Sequence, residues 1–203
     1  MNYVIGDSHV SIFSGHDGGL TIGFPNTSGD RLPNFKTGNV SARLAYNFGR
    51  VGHPVTDSVD KIMRQIPKTT VIFSFGEIDC RCHANSKRRS MSASVEGSVS
   101  QYVKGLEEYL NDGFDVYALL PHVIRQKDPI DSAVGTWSQI TAASLFFNTL
   151  MCQWNESRCI SLFEWTLNHE IFLQPEYYRD DTHLNQNCLP FLLDECQKKG
   201  IEI

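Results

Sequence analysis

Along the chain, short unbroken apolar runs alternate with longer stretches in which apolar residues recur at helical spacing. Asn2 to Ile5 is an apolar run that stops at Gly6-Asp7-Ser8, the pattern of a buried strand opening into a loop. Thr70 to Phe75 (TVIFSF) is β-branched and aromatic throughout, as expected of a strand buried on both faces. Asp115 to Leu120 (DVYALL), stopped by Pro121, and Cys159 to Phe163 (CISLF) read as further strands. Helical spacing predicts a helix over Asn39 to Phe48, with Asn39 as its cap and Val40, Leu44 and Phe48 on one face. It predicts a second over Asp57 to Ile66, halted by Pro67, and a third over Ser92 to Asn111, closed by Asn111-Asp112-Gly113. Two more follow over Trp137 to Asn155 and Gln186 to Lys199, the last carrying Pro190 in its first turn. Residues 14–37 read as a long loop with Leu20 to Phe24 as a short strand, and 122–136 and 164–185 as further loops.

This alternation predicts an α/β fold of three α/β/α layers around a mainly parallel, flavodoxin-like sheet, formed by 1–203 as a single domain. No internal repeat or linker divides the chain. In such sheets the working residues sit at the carboxyl ends of the strands. The two most polar strand ends are Asp7-Ser8-His9 and Glu77-Asp79-Arg81.

Composition narrows the partners. A net charge of -5 argues against nucleic-acid binding, which needs a basic face. The only dense basic cluster, Lys87-Arg88-Arg89, reads as a solvated loop. No stretch is long and apolar enough to cross a membrane and no signal-peptide pattern opens the chain, so cytoplasmic residence is the default expectation. Six cysteines (80, 82, 152, 159, 188 and 196) then read as reduced thiols rather than a disulfide framework. Oligomeric state has no signal in the sequence.

Two constellations carry chemistry. A strand ending in Gly6-Asp7-Ser8 puts a hydroxyl at the mouth of the sheet, where serine becomes a nucleophile if a base stands beside it. The same residues would serve equally as a helix cap. In Asp180-Asp181-Thr182-His183 the three-residue spacing brings the Asp180 carboxylate beside the His183 imidazole, where it can fix the tautomer and stabilise the imidazolium. Ser8 follows the first strand and the Asp-His pair precedes the last helix, so both reach one mouth of a doubly wound sheet.

In these motifs and their order the chain resembles the SGNH/GDSL hydrolases, from Ile5 to Leu184. The resemblance implies a serine esterase without cofactor or metal, with Ser8 as nucleophile, His183 as base and Asp180 orienting it. It implies substrates that are small acyl esters, especially O-acetyl groups on carbohydrate, with transfer to a sugar hydroxyl as the alternative outcome. It also implies an oxyanion hole from the Ser8 N–H and a second-block glycine, for which Gly38 is the best match and Gly29 a competitor. The third block, Gly76-Glu77-Ile78-Asp79, departs from the family pattern: Ile78 stands where a hydrogen-bonding asparagine is expected. Losing one such donor costs about 100-fold in rate or more. Arg81 and Asn39 could replace it, or Arg81 could bind a substrate carboxylate, with Glu77 and Asp79 as further possible substrate contacts; Arg81 could equally pair with Glu77 or Asp79.

Cys80, Cys82 and His83 lack the spacing of a zinc knuckle, and Cys80 and Cys82 read as small, packed, buried residues. His9 and His122 stand at strand ends where either could face the cleft, and a satisfied structural histidine is the better reading for each. Phe163, Trp165, Phe172, Tyr177 and Tyr178 either line a substrate pocket or pack the C-terminal loop. A nucleotide-binding module would need a glycine-rich loop after the first strand, which Gly6-Asp7-Ser8-His9 is not. The Ile78 departure keeps open a catalytically weak domain that binds a glycan or acyl ligand.

Overall fold

The computed structural model describes residues 1–15, 24, 32–41, 44–127, 130 and 132–203. The expected short strand Leu20 to Phe24 and the competing Gly29 lie outside them, save for Phe24.

Among these residues five strands form one all-parallel sheet: β1 (Asn2–Gly6), β2 (Phe35–Asn39), β3 (Thr70–Ser74), β4 (Asp115–Leu119) and β5 (Cys159–Ile160), in the spatial order β2-β1-β3-β4-β5. Helices α1 (Ala45–Phe48), α2 (Pro54–Met63), α3 (Met91–Asn111), α4 (Trp137–Asn155), α5 (Phe163–Asn168) and α6 (Leu189–Lys198) connect and cover it. Strand periodicity divides the core. Tyr3, Ile5, Val71, Phe73, Val116 and Ala118 face one layer with α1 to α4, while Val4, Ile72, Tyr117 and Leu119 face the other with Leu192 and Cys196 of α6. This is the expected α/β/α arrangement. The strand order reverses between β1 and β3, and a cleft opens at the carboxyl ends of such a pair. Ser8 and the Gly76–Asp79 segment emerge side by side there.

Three elements differ from expectation. The helix expected over 39–48 is instead the end of β2 at Asn39 and the four-residue α1 from Ala45, with 42 and 43 outside the described residues. Asn39 is the last strand residue, paired with Gly6, and the Val40 N–H extends the ladder to the Gly6 carbonyl (2.8 Å). The Asn39 side chain caps no helix; its Oδ1 accepts the N–H of Ser41, which has a left-handed φ of 74°. β2 is an edge strand carrying an exposed Lys36 and only one large apolar residue, Phe35, so it lacks the run that marks its neighbours. Helix α2 starts at Pro54, earlier than expected, because a first-turn proline gives up no hydrogen bond and the His53 ring accepts the Val55 N–H. The strand expected over 159–163 stops at Ile160, and α5 begins at Phe163 inside the segment expected as loop.

β1, β3, β4, α3 and α4 match within one residue, and α6 begins three residues later than expected. A 3₁₀ turn over Gln186–Cys188 leads into α6, with Pro190 in its first turn. Among the described residues no helix is long and apolar enough to cross a membrane.

Candidate active site

At the end of β1 a glycine is required by contact. A Cβ on Gly6 would collide with the Ser74 backbone of β3, so the two strands approach closely just before the chain turns. Asp7 then caps the 3₁₀ turn Ser8–Ser14 through its Oδ1, which accepts the His9 N–H at 3.0 Å. The capping role that Gly-Asp-Ser could serve thus falls to Asp7, and the Ser8 hydroxyl is left for the cleft.

The partner arrives from the other end of the chain. A narrow loop is closed by the Arg179 N–H on the His183 carbonyl (2.9 Å) and by an antiparallel bridge between Tyr178 and Leu184. Within it Asp180 Oδ1 accepts the N–H groups of Thr182 and His183, both at 2.9 Å, so the carboxylate organises the turn that presents the imidazole. The loop is tied to the segment after β4 by the Arg125 N–H on the Asp181 carbonyl (3.1 Å) and by Lys127 on the Asp181 carboxylate (2.5 Å). His183 Nδ1 lies 2.7 Å from Asp180 Oδ2, and its Nε2 lies 2.6 Å from Ser8 Oγ. Residues 175 positions apart therefore form one continuous relay.

The charge states suit it. Burial would raise the Asp180 carboxyl, but the two backbone N–H groups and His183 outweigh this and hold it well below the carboxylate range. Burial and the charge on the neighbouring His9 outweigh Asp180 at His183 and bring that imidazole down to about 4, so it is an unprotonated base at neutral pH.

The polar end of β3 is built differently. Glu77 and Arg81 form a two-point pair (Nε to Oε1 2.5 Å, Nη2 to Oε2 3.2 Å), and Arg81 Nη1 also donates to the Ser132 carbonyl at 3.1 Å. Of the roles open to Arg81 in the sequence, the geometry brings about the ion pair with Glu77 and commits the guanidinium away from an oxyanion. Asp79 is buried and accepts from the Ala45 N–H (2.7 Å), the Tyr46 N–H (3.1 Å) and Ser98 Oγ (2.8 Å), holding the start of α1 to α3. Burial lifts its carboxyl to about 6 in spite of those bonds. Cys80 is buried, and the Cys82 thiol donates to the Ser132 carbonyl. Among the described residues no group of three or more metal-ligating side chains converges.

Gly38 does not precede a helix. It lies within β2, opposite Ile5, and strand alternation points its N–H the same way as that of Val40, into the ladder with β1. Asn39 is level with Gly6 and shares a strand face with Phe35, the face on which the Ser8–Ser14 turn packs. The aromatic residues of the C-terminal segment pack rather than converge on Ser8. Trp165 stacks on Phe191 (3.7 Å), Phe172 lies against Trp137 (5.4 Å), Phe163 is in the core, and the Tyr178 hydroxyl donates to the Val123 carbonyl (2.7 Å).

The geometry adds two residues that the sequence reading set aside as structural. His9 and His122 both place Nε2 on the Thr182 carbonyl, at 3.3 and 2.9 Å, directly behind His183. The signal for His9 was its place beside Ser8; for His122 it was a strand end facing the same mouth.

The parallel 2-1-3-4-5 sheet, with Ser8 after β1 and the Asp180–His183 loop before the last helix, is the arrangement that the resemblance to the SGNH/GDSL hydrolases implies. No family model matches the chain, and no curated protein matches it by sequence. Solved structures do match. The acetyl xylan esterase AlAXEase superposes with a TM-score of 0.62 at 16% identity, covering 99% of this chain and 100% of the other. An acetylxylan esterase from Geobacillus stearothermophilus, crystallised as a catalytic mutant, superposes with a TM-score of 0.56 at 12% identity, covering 99% and 94%. A lipolytic protein of the G-D-S-L family from Veillonella parvula gives 0.52 at 14% identity, covering 97% and 96%. At these identities the likeness is one of fold.

Proposed function

We propose that this single domain is a serine esterase that removes small acyl groups, foremost O-acetyl groups on carbohydrate. Ser8 is the nucleophile, His183 the base and Asp180 its orienting carboxylate. The observation that carries the reading is the unbroken relay from Ser8 Oγ through His183 to Asp180, at 2.6 and 2.7 Å. The acetyl ester is favoured because two of the structures that share the fold over nearly its full length are acetylxylan esterases. No cofactor takes part.

In the first half-reaction His183 Nε2 takes the Ser8 proton as Oγ bonds to the acyl carbon, while the Nδ1 proton stays on the ring and is donated to the Asp180 carboxylate. The tetrahedral intermediate collapses, the C–O bond to the alcohol breaks, and the alkoxide leaves with the proton from His183. Water then gives a proton to His183 and its oxygen attacks the acyl-enzyme, releasing the acid and restoring Ser8. The oxyanion is held by the Ser8 N–H and, in this reading, by the Asn39 side chain, which occupies the cleft end of β2 where Gly38 does not. None of the six cysteines is in a disulfide, which fits a reducing compartment, and we place the protein in the cytoplasm.

The test is hydrolysis of p-nitrophenyl acetate by the wild type and by Ser8→Ala, with fluorophosphonate labelling alongside. Turnover and labelling that both disappear in Ser8→Ala support the esterase. A folded wild type that shows neither would favour a domain that binds an acylated glycan, the reading that Ile78 invites. Acetylated xylo-oligosaccharides, with and without an added sugar acceptor, then distinguish hydrolysis from transfer.

A further inference from the structure

Behind the Ser8–His183 pair lies an imidazole that ester chemistry does not call for. The His9 side chain is only 8% exposed. Its Nδ1 lies 2.9 Å from Asp7 Oδ1, and its Nε2 lies 3.3 Å from the Thr182 carbonyl oxygen. Both neighbours accept hydrogen bonds, so a neutral ring would press a lone pair against one of them. A second carboxylate oxygen, Glu77 Oε2, stands 4.0 Å from Nε2. The ring stacks on that of His183, with centroids 4.5 Å apart and planes 26° apart. His122 lies on its other side, with centroids 5.4 Å apart, and shares the Thr182 carbonyl.

We propose that His9 is a positioning residue held as a buried imidazolium, which pins the Asp180–His183 loop at Thr182 and keeps the His183 base unprotonated in mildly acidic solution. The inference rests on His183 acting as the base for Ser8.

The charges facing each ring support it. His9 meets Asp7 from its own turn and Glu77 from the end of β3; burial alone would discharge it, but the two carboxylates and the Thr182 carbonyl bring it up to about 9. His122, from the segment after β4, is pushed down to about 3 by burial and by the charge on His9, so it is a neutral donor. His183 meets His9 from the turn after β1, His122 from the segment after β4, and Asp180 and Arg179 from its own loop. Burial, His9 and Arg179 disfavour its protonation and Asp180 favours it. The fixed cation makes the His183 imidazolium formed during turnover a stronger acid towards the leaving alkoxide. It also puts positive charge next to the serine whose intermediate becomes negative.

The experiment has two arms. Histidine ring nitrogens are followed by NMR in the wild type from pH 4 to 10. Both nitrogens of His9 protonated at pH 7 are expected, and a neutral His9 there overturns the proposal without any variant. In the second arm kcat/KM for p-nitrophenyl acetate is measured across pH for the wild type and His9→Gln. The acid limb is expected to rise by about one pH unit or more in His9→Gln, roughly a tenfold loss of rate below the limb. A lower plateau with an unmoved limb would mean a merely structural histidine and overturn it. Should the wild type prove not to be an esterase, the His183 titration is read by NMR in Ser8→Ala with and without His9→Gln. A shift there upholds the coupling of the two rings, and no shift rejects it.

Discussion

The ends of β1 and β3 are equally polar in the sequence and meet at the same mouth of the sheet, yet they do different work. At β1 the Asp7 carboxylate turns inward to hold the backbone and His9, and the Ser8 hydroxyl is directed at a base brought from 175 residues away. At β3 the charged groups are taken up mainly by scaffold partners: Glu77 by Arg81, with its Oε2 also 4.0 Å from the His9 ring, and Asp79 by Ser98 and the start of α1. A buried carboxylate must find donors, and Asp79 finds three within the scaffold. The chemistry sits where a polar group meets a partner that the scaffold does not need. Substitutions at the β1 end should therefore change rate, and substitutions at the β3 end should change stability.

The largest separation is expected from Ser8→Ala, which should lower kcat by at least about a thousandfold while the melting temperature hardly moves. Equal losses of rate and stability would erase the distinction. Next comes Arg81→Met. It leaves Glu77 buried opposite no guanidinium, and breaking a buried pair from one side costs about 3–5 kcal/mol. Denaturant unfolding should show that loss, with the rate per folded molecule within a few-fold of wild type. A rate loss beyond a hundredfold would instead put Arg81 in contact with the reaction.

His9 joins the two regions, because it touches Asp7 on one side and Glu77 on the other. Its pKa is raised from 6.5 to about 9 on folding, so the stability it contributes is complete below about 6.5 and is lost as pH rises through 9. Melting temperature should fall between pH 7 and 10 in the wild type and fall less in His9→Gln. Parallel curves would show that His9 is not the titrating group. Asn39→Ala tests the cleft end of β2. Loss of an oxyanion donor should cost about 100-fold in kcat, near 3 kcal/mol. A change below threefold would remove Asn39 from the hole.

The central strands and long helices were legible because both faces of β1, β3 and β4 are buried, which leaves unbroken apolar runs. β2 was not, because an edge strand with Lys36 exposed carries little of that signal. The helix expected there was a coincidence of spacing: Val40 is buried just past the end of β2, Leu44 is half-buried at the N-cap of α1, and Phe48 is buried at the end of α1. Ser8, Asp180 and His183 were legible as motifs at strand and helix boundaries. The roles of Arg81 and Asp79 depended on which neighbours claimed them, and those neighbours lie up to 51 residues away. The pairing of His9 with Thr182 spans 173 residues and leaves no local pattern at all.

The smallest effect is expected from Ile78→Asn, and it sharpens the comparison most. Ile78 is half-buried at the start of the π-helical turn Asp79–His83, where an asparagine side chain can be accommodated without emptying the core. If Asn39 already supplies the side-chain donor from the β2 side, a second amide from the β3 side adds to a hole that is already satisfied. The gain in kcat should then be under about tenfold, less than 1.4 kcal/mol. A rise of about a hundredfold would mean that the natural hole lacks a donor, that Asn39 is not it, and that the β3 end was held back from the chemistry by one side chain rather than by its architecture. Combining Ile78→Asn with Asn39→Ala separates these cases. Rescue of the single Asn39 loss by the new asparagine would show that the two strand ends address the same oxyanion from opposite sides.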